Sequence, residues 1–184
     1  MDKKKIRKLA KNNRKNRTLQ SISSINKSIK KHLFSYFDFS RYENILIYLS
    51  TSGEVDTWDI IKDLDSNNLY IPYIDKINKT NKLHLTKYNN TFSRNKYGIF
   101  ECQGKIQNPI IYLAILPLLA FDIKGNRIGY GKGYFDTFLS KKEFQNTILV
   151  GLCMDSPYDE WISEPHDIPL DYVVTPNKVY NFLI

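Results

Sequence analysis

Residues 116–136 contain glycines, cations and an aspartate at a spacing suited to binding a phosphate group and a metal ion. These residues are Arg127, Gly129, Gly131, Lys132, Gly133 and Asp136. Glycines this close together indicate a backbone with positive φ, or one that a ligand approaches closely. Such a loop can turn successive N–H groups toward an anion, and its cations favour phosphate. The aspartate adds an oxygen ligand suited to Mg²⁺. The segment therefore predicts a phosphate and metal site; the alternative is a Gly-rich surface turn with scattered charges.

The glycine pattern differs from both common nucleotide-binding motifs. A P-loop needs glycine five residues before Gly131, where Asn126 stands, and Ser or Thr after the lysine, where Gly133 stands. The dinucleotide fingerprint fails because its third glycine comes one residue early. The loop must therefore belong to another class of phosphate site.

The composition is typical of one soluble domain, residues 1–184, that buries a substantial core. The longest apolar stretch, 110–121, is interrupted by Pro117 and is too short to span a bilayer, so we expect no membrane partner. The basic start is followed by no apolar segment, which argues against a secretory signal. Cys102 and Cys153 lack metal-ligand spacing and predict reduced thiols in the cytoplasm.

The net charge of +8 is confined to one segment. Residues 1–17 contain nine Lys and Arg against one acid, and the remainder is balanced. One explanation is an arm that binds nucleic acid. Another is a helix that directs a few cations into a phosphate site. Because residues 1–17 contain no aromatic side chain on which bases could stack, we expect no nucleic-acid partner.

Apolar spacing predicts two helices between Lys3 and Phe37, with Lys3 and Arg7 on one face. A third helix, capped by Asp56 or Thr57, would run to about Leu64. The segment 133–141 predicts another helix, and 75–81 and 89–108 read as irregular. The predicted strands are 44–50, 69–74, an edge strand at 82–88, a central parallel strand at 110–116, 147–154 and a last one at 172–174.

This alternation predicts the α/β class: a single three-layer domain whose mostly parallel central sheet has helices on both faces, preceded by a helical segment. Ligands in such folds bind beyond the carboxyl ends of the strands, where residues 116–136 fall.

The run from Pro117 to Asp136 closely resembles the 5-formyltetrahydrofolate cyclo-ligase family, also called methenyltetrahydrofolate synthetase. Five further segments match the family in order. They are Lys3 with Arg7, Leu49-Ser50 with Glu54-Val55-Asp56-Thr57, Ile71-Pro72, Tyr97-Gly98-Ile99 with Glu101, and His166-Asp167 with Asp171 to Thr175. Cys102 and Tyr73 depart from it, standing where the family usually has Pro and often has Arg.

The resemblance implies conversion of 5-formyltetrahydrofolate and ATP to 5,10-methenyltetrahydrofolate, ADP and phosphate with Mg²⁺. Phosphorylating the formamide oxygen creates an iminium phosphate that the neighbouring folate nitrogen can attack. Phosphoryl transfer needs mainly positioning and charge neutralisation, which suits a site rich in Lys, Arg, Gly and Asp. A different ATP-dependent enzyme on the same scaffold is the remaining alternative.

The resemblance also assigns residues to roles. The catalytic set would be Arg127, Lys132 and Asp136, and Mg²⁺ would be held by Asp136 and Asp171. The folate would contact Leu49, Glu54 and residues 130–134. ATP would be bound by Lys3, Lys4, Lys5, Ile6, Arg7, Arg127, Ile128, Gly129, Tyr130, Gly131, Lys132, Gly133, Tyr134 and Phe135. In the alternative, Glu54 caps the following helix, Asp171 caps a loop, and Lys3 and Arg7 are solvated.

We expect the protein to be a cytoplasmic monomer. His166 is left open between a role as a general acid or base and a packing role.

Overall fold

Two helices come first in the chain, as the apolar spacing predicts. The computed structural model describes residues 2–75, 82–94, 100–161 and 163–183. α1 (Lys3–Lys15) is amphipathic and buries Ile6, Ala10 and Arg14 along one face. α2 (Leu19–Tyr36) begins at Thr18, whose hydroxyl accepts a hydrogen bond from the N–H of Ser21. The two remaining α-helices are short, α3 (Trp58–Ile61) and α4 (Tyr134–Leu139).

A sheet of eight strands forms the centre of the fold. The strands of the chain are β1 (Ile45–Ile47), β2 (Leu69–Asp75), β3 (Lys82–Lys87), β4 (Phe92–Arg94), β5 (Phe100–Cys102), β6 (Ile106–Gln107), β7 (Leu113–Pro117), β8 (Ala120–Phe121), β9 (Arg127–Ile128), β10 (Ile148–Leu152), β11 (Tyr172–Val174) and β12 (Val179–Asn181). The order in the large sheet is β12-β11-β10-β7-β1-β2-β3-β6. Its five inner strands, from β2 to β11, are parallel, and the outer three pair antiparallel.

Side chains on alternate residues of the inner strands enter two separate cores. In β7, Leu113 and Ile115 pack on the face covered by α2 and α3, whereas Ala114 and Leu116 pack on the face covered by α4. A parallel strand buried on both faces needs a continuous apolar sequence, which is what made this strand recognisable. The predicted three-layer α/β class with a mostly parallel central sheet is confirmed.

The strand order contains a switch point that creates a crevice. From β1 the chain moves to β2 on one side, and it later returns to β7 on the other side. Connections on either side of such a point diverge, so a crevice opens beyond the carboxyl ends of β1 and β7. Leu49 follows β1 and Pro117 ends β7, so both lie at this crevice.

Four details of the sequence prediction are wrong. The edge assignment of β3 fails because β6 pairs beyond it, and the supposedly irregular 89–108 contains β6 and the β4–β5 hairpin. β11 is not the last strand, since β12 returns antiparallel to it. α3 ends at Ile61 rather than near Leu64. All four errors depend on elements of two to four residues, namely β4, β5, β6, β12 and α3, which are too short to show a period. Residues 76–81 and 95–99 lie outside the described residues, and with them most of the predicted polar loop and of the Tyr97-Gly98-Ile99 match.

Across the described residues, we find no helix with the length and apolarity required to cross a bilayer.

Candidate functional site

A cavity of about 500 Å³ lies at the crevice beyond β1 and β7. This volume is within the range of roughly 300–1,000 Å³ that is usual for small-molecule sites. The first turns of α1, the turn after β1, residues 127–136 and residues 164–167 form its walls. Most of the residues that the sequence predicts for the site therefore line one cavity. They are Lys3, Arg7, Leu49, Glu54, Arg127, Ile128, Gly129, Tyr130, Gly131, Lys132, Gly133, Tyr134, Phe135 and Asp136.

The β8–β9 hairpin holds the Gly-rich loop at the cavity. Asp122 closes the hairpin turn, because one carboxylate oxygen accepts the N–H groups of Lys124 and Asn126 at 3.0 and 2.9 Å. Gly125 lies in this turn at φ +81°, where a Cβ atom would meet the carbonyl of Leu170 at 2.9 Å. Asp122 and Gly125 therefore build the turn that supports the Gly-rich loop.

Two glycines of the loop have backbone conformations that L side chains rarely adopt. Gly131 has φ +94° and Gly133 has φ +65°. Gly133 is also the residue before α4, so the loop leads directly into the N-terminus of that helix. The predicted left-handed backbone is confirmed at both positions.

Arg127 and Asp136 form a shielded ion pair beside the loop. Nη2 of Arg127 donates to Oδ1 of Asp136 at 2.6 Å, and Nη1 donates to the carbonyl of Ile168 at 2.6 Å. The Arg127 side chain is 5% exposed and that of Asp136 is 24% exposed. Burial lowers the pKa of Arg127, while the carboxylates of Asp136 and Asp167 act in the opposite direction. Two acidic side chains therefore face the same buried guanidinium.

The cations of the first helix reach the cavity from α1. Arg7 donates from Nε to the carbonyl of Gly129 at 2.9 Å, and its Cζ lies 3.4 Å from where a Cβ of Gly131 would be. Lys3 forms an ion pair with Asp167 and lies 3.6 Å from a carboxylate oxygen of Glu164. The alternative that these two cations are simply solvated is wrong.

Three predicted ATP ligands of α1 lie away from the cavity. Lys4 and Lys5 are exposed, and Ile6 is fully buried against Ala120 and Ile128. A helix makes one turn every 3.6 residues, so Lys3 and Arg7, which are four positions apart, can face the same cavity. The side chains at positions 4, 5 and 6 therefore point elsewhere.

Glu54 lines the cavity from the turn after β1. Its Oε2 accepts the N–H and the hydroxyl of Thr51 at 2.8 and 2.9 Å, which fixes the carboxylate within the turn. The alternative that Glu54 caps the following helix is wrong, because the side chain of Asp56 accepts from the N–H of Trp58 at 2.9 Å. Glu54 is thus held in place with its carboxylate at the cavity wall.

Asp171 is a predicted metal ligand that the structure places outside the cavity wall. Its carboxylate accepts the N–H of Leu149 at 2.7 Å, at the amino end of β10. Burial raises the pKa of Asp171, and the hydrogen bond from Leu149 opposes that shift. The carboxylates that line the cavity from this segment are those of Glu164 and Asp167. Asp171 supports the strand pairing because Leu149 pairs with both its backbone and its side chain.

The cavity has a donor set suited to Mg²⁺. The carboxylates in its walls belong to Glu54, Asp136, Glu164 and Asp167. Within the described ranges, no group of three His, Cys, Asp or Glu residues is arranged to hold a metal ion. Mg²⁺ commonly uses one or two carboxylates together with substrate phosphates and water. Asp136 and Asp167, which both face Arg127, fit that pattern.

The geometry suits phosphoryl transfer better than nucleophilic catalysis. The two cysteines, Cys102 and Cys153, are buried, and burial raises the pKa of the Cys153 thiol to about 11. The cavity instead combines cations, carboxylates and the left-handed backbone of the Gly-rich loop. These groups can position an anion and neutralise charge, which phosphoryl transfer requires.

Sequence analysis overlooked Arg14 and Asp167 as parts of the site. Arg14 is seven residues from Arg7, on the helical face that carries Ile6 and Ala10, and this spacing was the available signal. Asp167 was treated only as part of a C-terminal match, and no periodicity showed which acid of 163–171 would face inward.

Comparisons with known proteins agree with one another. The model of the 5-formyltetrahydrofolate cyclo-ligase family matches residues 1–176. The 5-formyltetrahydrofolate cyclo-ligase of Haemophilus influenzae is 33% identical over 165 residues, covering 85% of this chain and 88% of that protein. The enzyme of the same name from Escherichia coli K12 is 32% identical and covers 75% of this chain and 80% of its own. The solved structure of Aquifex aeolicus 5,10-methenyltetrahydrofolate synthetase, 26% identical, superposes with a TM-score of 0.75 and covers 99% of this chain and 93% of that one.

Proposed function

The chain belongs to the 5-formyltetrahydrofolate cyclo-ligase family, and from this premise we propose that it converts 5-formyltetrahydrofolate and ATP to 5,10-methenyltetrahydrofolate, ADP and phosphate. The observation that carries the proposal is one cavity whose walls combine cations and the Gly-rich loop with apolar side chains and one fixed carboxylate. We assign Arg7, Lys132 and the loop to an ATP half of the site, and Leu49 and Glu54 to a folate half.

The proposed reaction is a phosphoryl transfer followed by ring closure. The γ-phosphoryl group of ATP moves to the formyl oxygen, and ADP leaves. The neighbouring folate nitrogen then attacks the activated carbon, and a C–N bond forms. That nitrogen releases its proton, the C–O bond breaks, and inorganic phosphate departs with the former formyl oxygen. Arg127, Lys132 and Asp136 are the groups that we assign to the transferring phosphate, where they balance its charge and fix its position.

The ATP half is assigned to α1 and to residues 127–135. Arg7 already contacts the backbone of the loop at Gly129, so both can face the same phosphates. Lys3 lies beside it and is paired with Asp167. An anion bound there would meet cations from two segments and the N–H groups of a left-handed loop.

The folate half is assigned to Leu49, Glu54 and the side of the loop from Tyr130 to Tyr134. An apolar wall with one oriented carboxylate suits a flat heterocycle that carries N–H donors. Glu54 can accept such donors because Thr51 holds its carboxylate in place. The two substrates would then meet above the Gly-rich loop.

Mg²⁺ is proposed as the metal of the reaction, held by Asp136 and Asp167 together with the phosphates. It would supply positive charge at the phosphates when bound. We substitute Asp167 for Asp171 because Asp167 lines the cavity and faces Arg127.

We also propose that the chain acts as a cytoplasmic monomer without a nucleic-acid partner. Both cysteines are free, which suits a reducing compartment. Several basic residues of α1 serve the cavity or the packing of the helix, among them Lys3, Arg7 and Arg14, so the basic segment needs no nucleic acid to explain it.

The direct test mixes the protein with Mg-ATP and 5-formyltetrahydrofolate. We expect the absorbance of methenyltetrahydrofolate to appear with one ADP formed for each product. Formation of ADP from a substrate other than folate, without any methenyl product, would support a different ATP-dependent enzyme on this scaffold.

Removing the two cavity cations of α1 is expected to weaken ATP binding. Replacing Lys3 and Arg7 together by methionine should raise the KM for ATP about a hundred- to ten-thousandfold, since each of the two charge-assisted contacts contributes on the order of 1.5–3 kcal/mol. Steady-state kinetics with varied ATP measures the change, and thermal unfolding shows whether the variant is folded.

The matched control replaces Lys8 and Lys15, which are both exposed on α1. Lys11 is left unchanged because its Nζ lies 5.7 Å from the ring centroid of Tyr130. We expect the control to keep the KM for ATP within about twofold, because exposed charges contribute little. Equal losses from both variants would point instead to a diffuse basic patch.

Replacing Glu54 by glutamine should impair folate use while ATP binding remains near normal. The amide oxygen can keep both hydrogen bonds from Thr51, so the turn is preserved. The contact with the folate loses its charge-assisted strength, on the order of 1.5–3 kcal/mol, which lowers kcat/KM for folate roughly ten- to a hundredfold. Separate affinities for ATP and for 5-formyltetrahydrofolate measure the effect.

The same chemical change at Glu143 serves as its control. That side chain is half exposed and pairs with Lys141 at 3.7 Å, away from the cavity. We expect kcat/KM for folate to be unchanged there. If Glu54→Gln weakens ATP and spares folate, the assignment of the two halves is reversed.

A further inference from the structure

Arg14 is a buried cation at the end of α1 that contacts three loops of the site. Its residue is 7% exposed, although arginine is rarely buried without a carboxylate partner. Nη1 donates to the carbonyl of Gly53 at 2.9 Å and to the hydroxyl of Tyr130 at 3.3 Å. Nη2 donates to the carbonyls of Leu118 and Leu119 at 2.6 and 3.3 Å. One guanidinium thus joins three chain segments that are far apart in sequence.

Each of these segments carries a wall of the cavity. Gly53 precedes Glu54 in the turn after β1, and Leu118 follows Pro117 at the end of β7. Tyr130 belongs to the Gly-rich loop. Arg14 itself is absent from the lining of the cavity, so it reaches the site only through these partners.

The charge of Arg14 is not explained by an ion pair. Among the described residues, its hydrogen-bond acceptors are three carbonyl oxygens and one hydroxyl, all of them neutral, and its Nε has no partner. A buried guanidinium with this environment is costly for stability. The planar guanidinium presents several N–H donors in fixed directions, so it can hold several acceptors at fixed relative positions. The ammonium group of a lysine could not do this.

Tyr130 links Arg14 to the carboxylate of Glu54. The Tyr130 hydroxyl accepts a hydrogen bond from Arg14, and the Glu54 carboxylate lies close enough to act on that hydroxyl electrostatically. Burial raises the pKa of Tyr130, the Glu54 carboxylate raises it further, and Arg14 opposes both. Tyr130 as a whole is nevertheless 41% exposed and lines the cavity, while its hydroxyl contacts the buried Arg14.

We propose that Arg14 is a positioning residue, which fixes the Glu54 carboxylate through Tyr130 and the Gly53 carbonyl and thereby sets the affinity for folate. This inference rests on the proposed function. It assigns to Arg14 no contact with either substrate. Arg7 and Lys3 lie two and three helical turns away, and Ile6, Ala10 and the Arg7–Gly129 hydrogen bond hold that end of α1 separately. Substitution of Arg14 should therefore change the Kd for folate much more than the Kd for ATP.

The test compares Arg14→Lys and Tyr130→Phe, alone and combined, by direct binding of 5-formyltetrahydrofolate and of Mg-ATP. Lysine keeps the positive charge but lacks the planar set of N–H donors. We therefore expect the Kd for folate to rise about tenfold, because small displacements of a positioned group are costly. For Arg14→Lys, the Kd for ATP should stay within about twofold. In the double variant, the Kd for folate should be no higher than in the single variant with the higher Kd, because both substitutions affect one contact.

Arg17→Lys is the matched control. Arg17 lies just after α1 and is partly buried, but it pairs with Asp155 at 2.7 Å, away from the loops of the cavity. We expect this control to lower thermal stability and to leave the Kd for folate unchanged. That result separates a general loss of helix packing from a loss of positioning.

Three outcomes would overturn the proposal. They are equal weakening of ATP and folate, independent effects of the two substitutions, and a lower active fraction with unchanged affinities. If Arg14→Lys does not fold, Tyr130→Phe alone decides, because an unchanged Kd for folate in that variant contradicts the link to Glu54. A wild-type protein that forms no methenyltetrahydrofolate would instead refute the proposed function.

Discussion

Asp136→Asn is expected to lower kcat about a hundred- to a thousandfold. This is the range seen when an enzyme loses one group that stabilises the charge of the transition state. Asp136 lies in the first turn of α4, with its carboxylate at the cavity and its Oδ1 on Arg127. Asparagine has nearly the same shape but removes the charge that we assign to Mg²⁺. The measurement is kcat at saturating substrates over a range of Mg²⁺ concentrations.

The substitution should cost little stability by comparison. Asparagine can still accept a hydrogen bond from Arg127 through its amide oxygen, so we expect a loss of about 1–3 kcal/mol in the free energy of unfolding. Asp63→Asn removes an exposed carboxylate that pairs with Lys30 at 2.8 Å and provides the control for the same chemical change. Full activity of Asp136→Asn at limiting Mg²⁺ would show that Asp136 is not a metal ligand.

Gly131→Val is expected to abolish detectable ATP binding at millimolar nucleotide. The backbone of Gly131 has φ +94°, which is strained for valine, and a Cβ atom there would lie 3.4 Å from the guanidinium carbon of Arg7. The side chain would therefore distort the loop and occupy the space that a phosphate needs. Nucleotide titration measures the effect.

The control for this prediction is Gly104→Val, in a loop outside the cavity. A Cβ at Gly104 meets its nearest neighbour, the side chain of Asn89, at 3.7 Å, and the backbone is not left-handed. We expect ATP affinity to be unchanged there. If Gly131→Val binds ATP like the wild type, the phosphates do not approach this part of the loop.

The fold was predictable wherever the residue pattern is long. β7 is buried on both faces and bounded by prolines in sequence, and α1 and α2 each show several turns of apolar spacing. Strands of two or three residues have no such signature, because their pairing depends on partners distant in sequence. β6 and β12 were missed for this reason.

The site was predictable where its chemistry is concentrated in one loop, and not where it depends on tertiary contacts. The glycines and charged residues of the segment 127–136 are enough to predict a phosphate site there. Asp167 and Asp171 are equivalent in sequence terms, and only the pairing of β10 with β11 ties the second one to Leu149. Arg14 looked like another exposed basic residue of a helix, since its acceptors are carbonyls that no sequence pattern reveals.

The two ends of the large sheet have a consequence for behaviour at high concentration. β6 has two residues and β12 has three, so each edge exposes few unpaired N–H and C=O groups. A second chain that tried to add a strand there would gain only two or three backbone hydrogen bonds before the ladder ended. Short edges of this kind are a known defence against aggregation through strand addition. The architecture that presents the cavity thus also limits growth of the sheet from chain to chain.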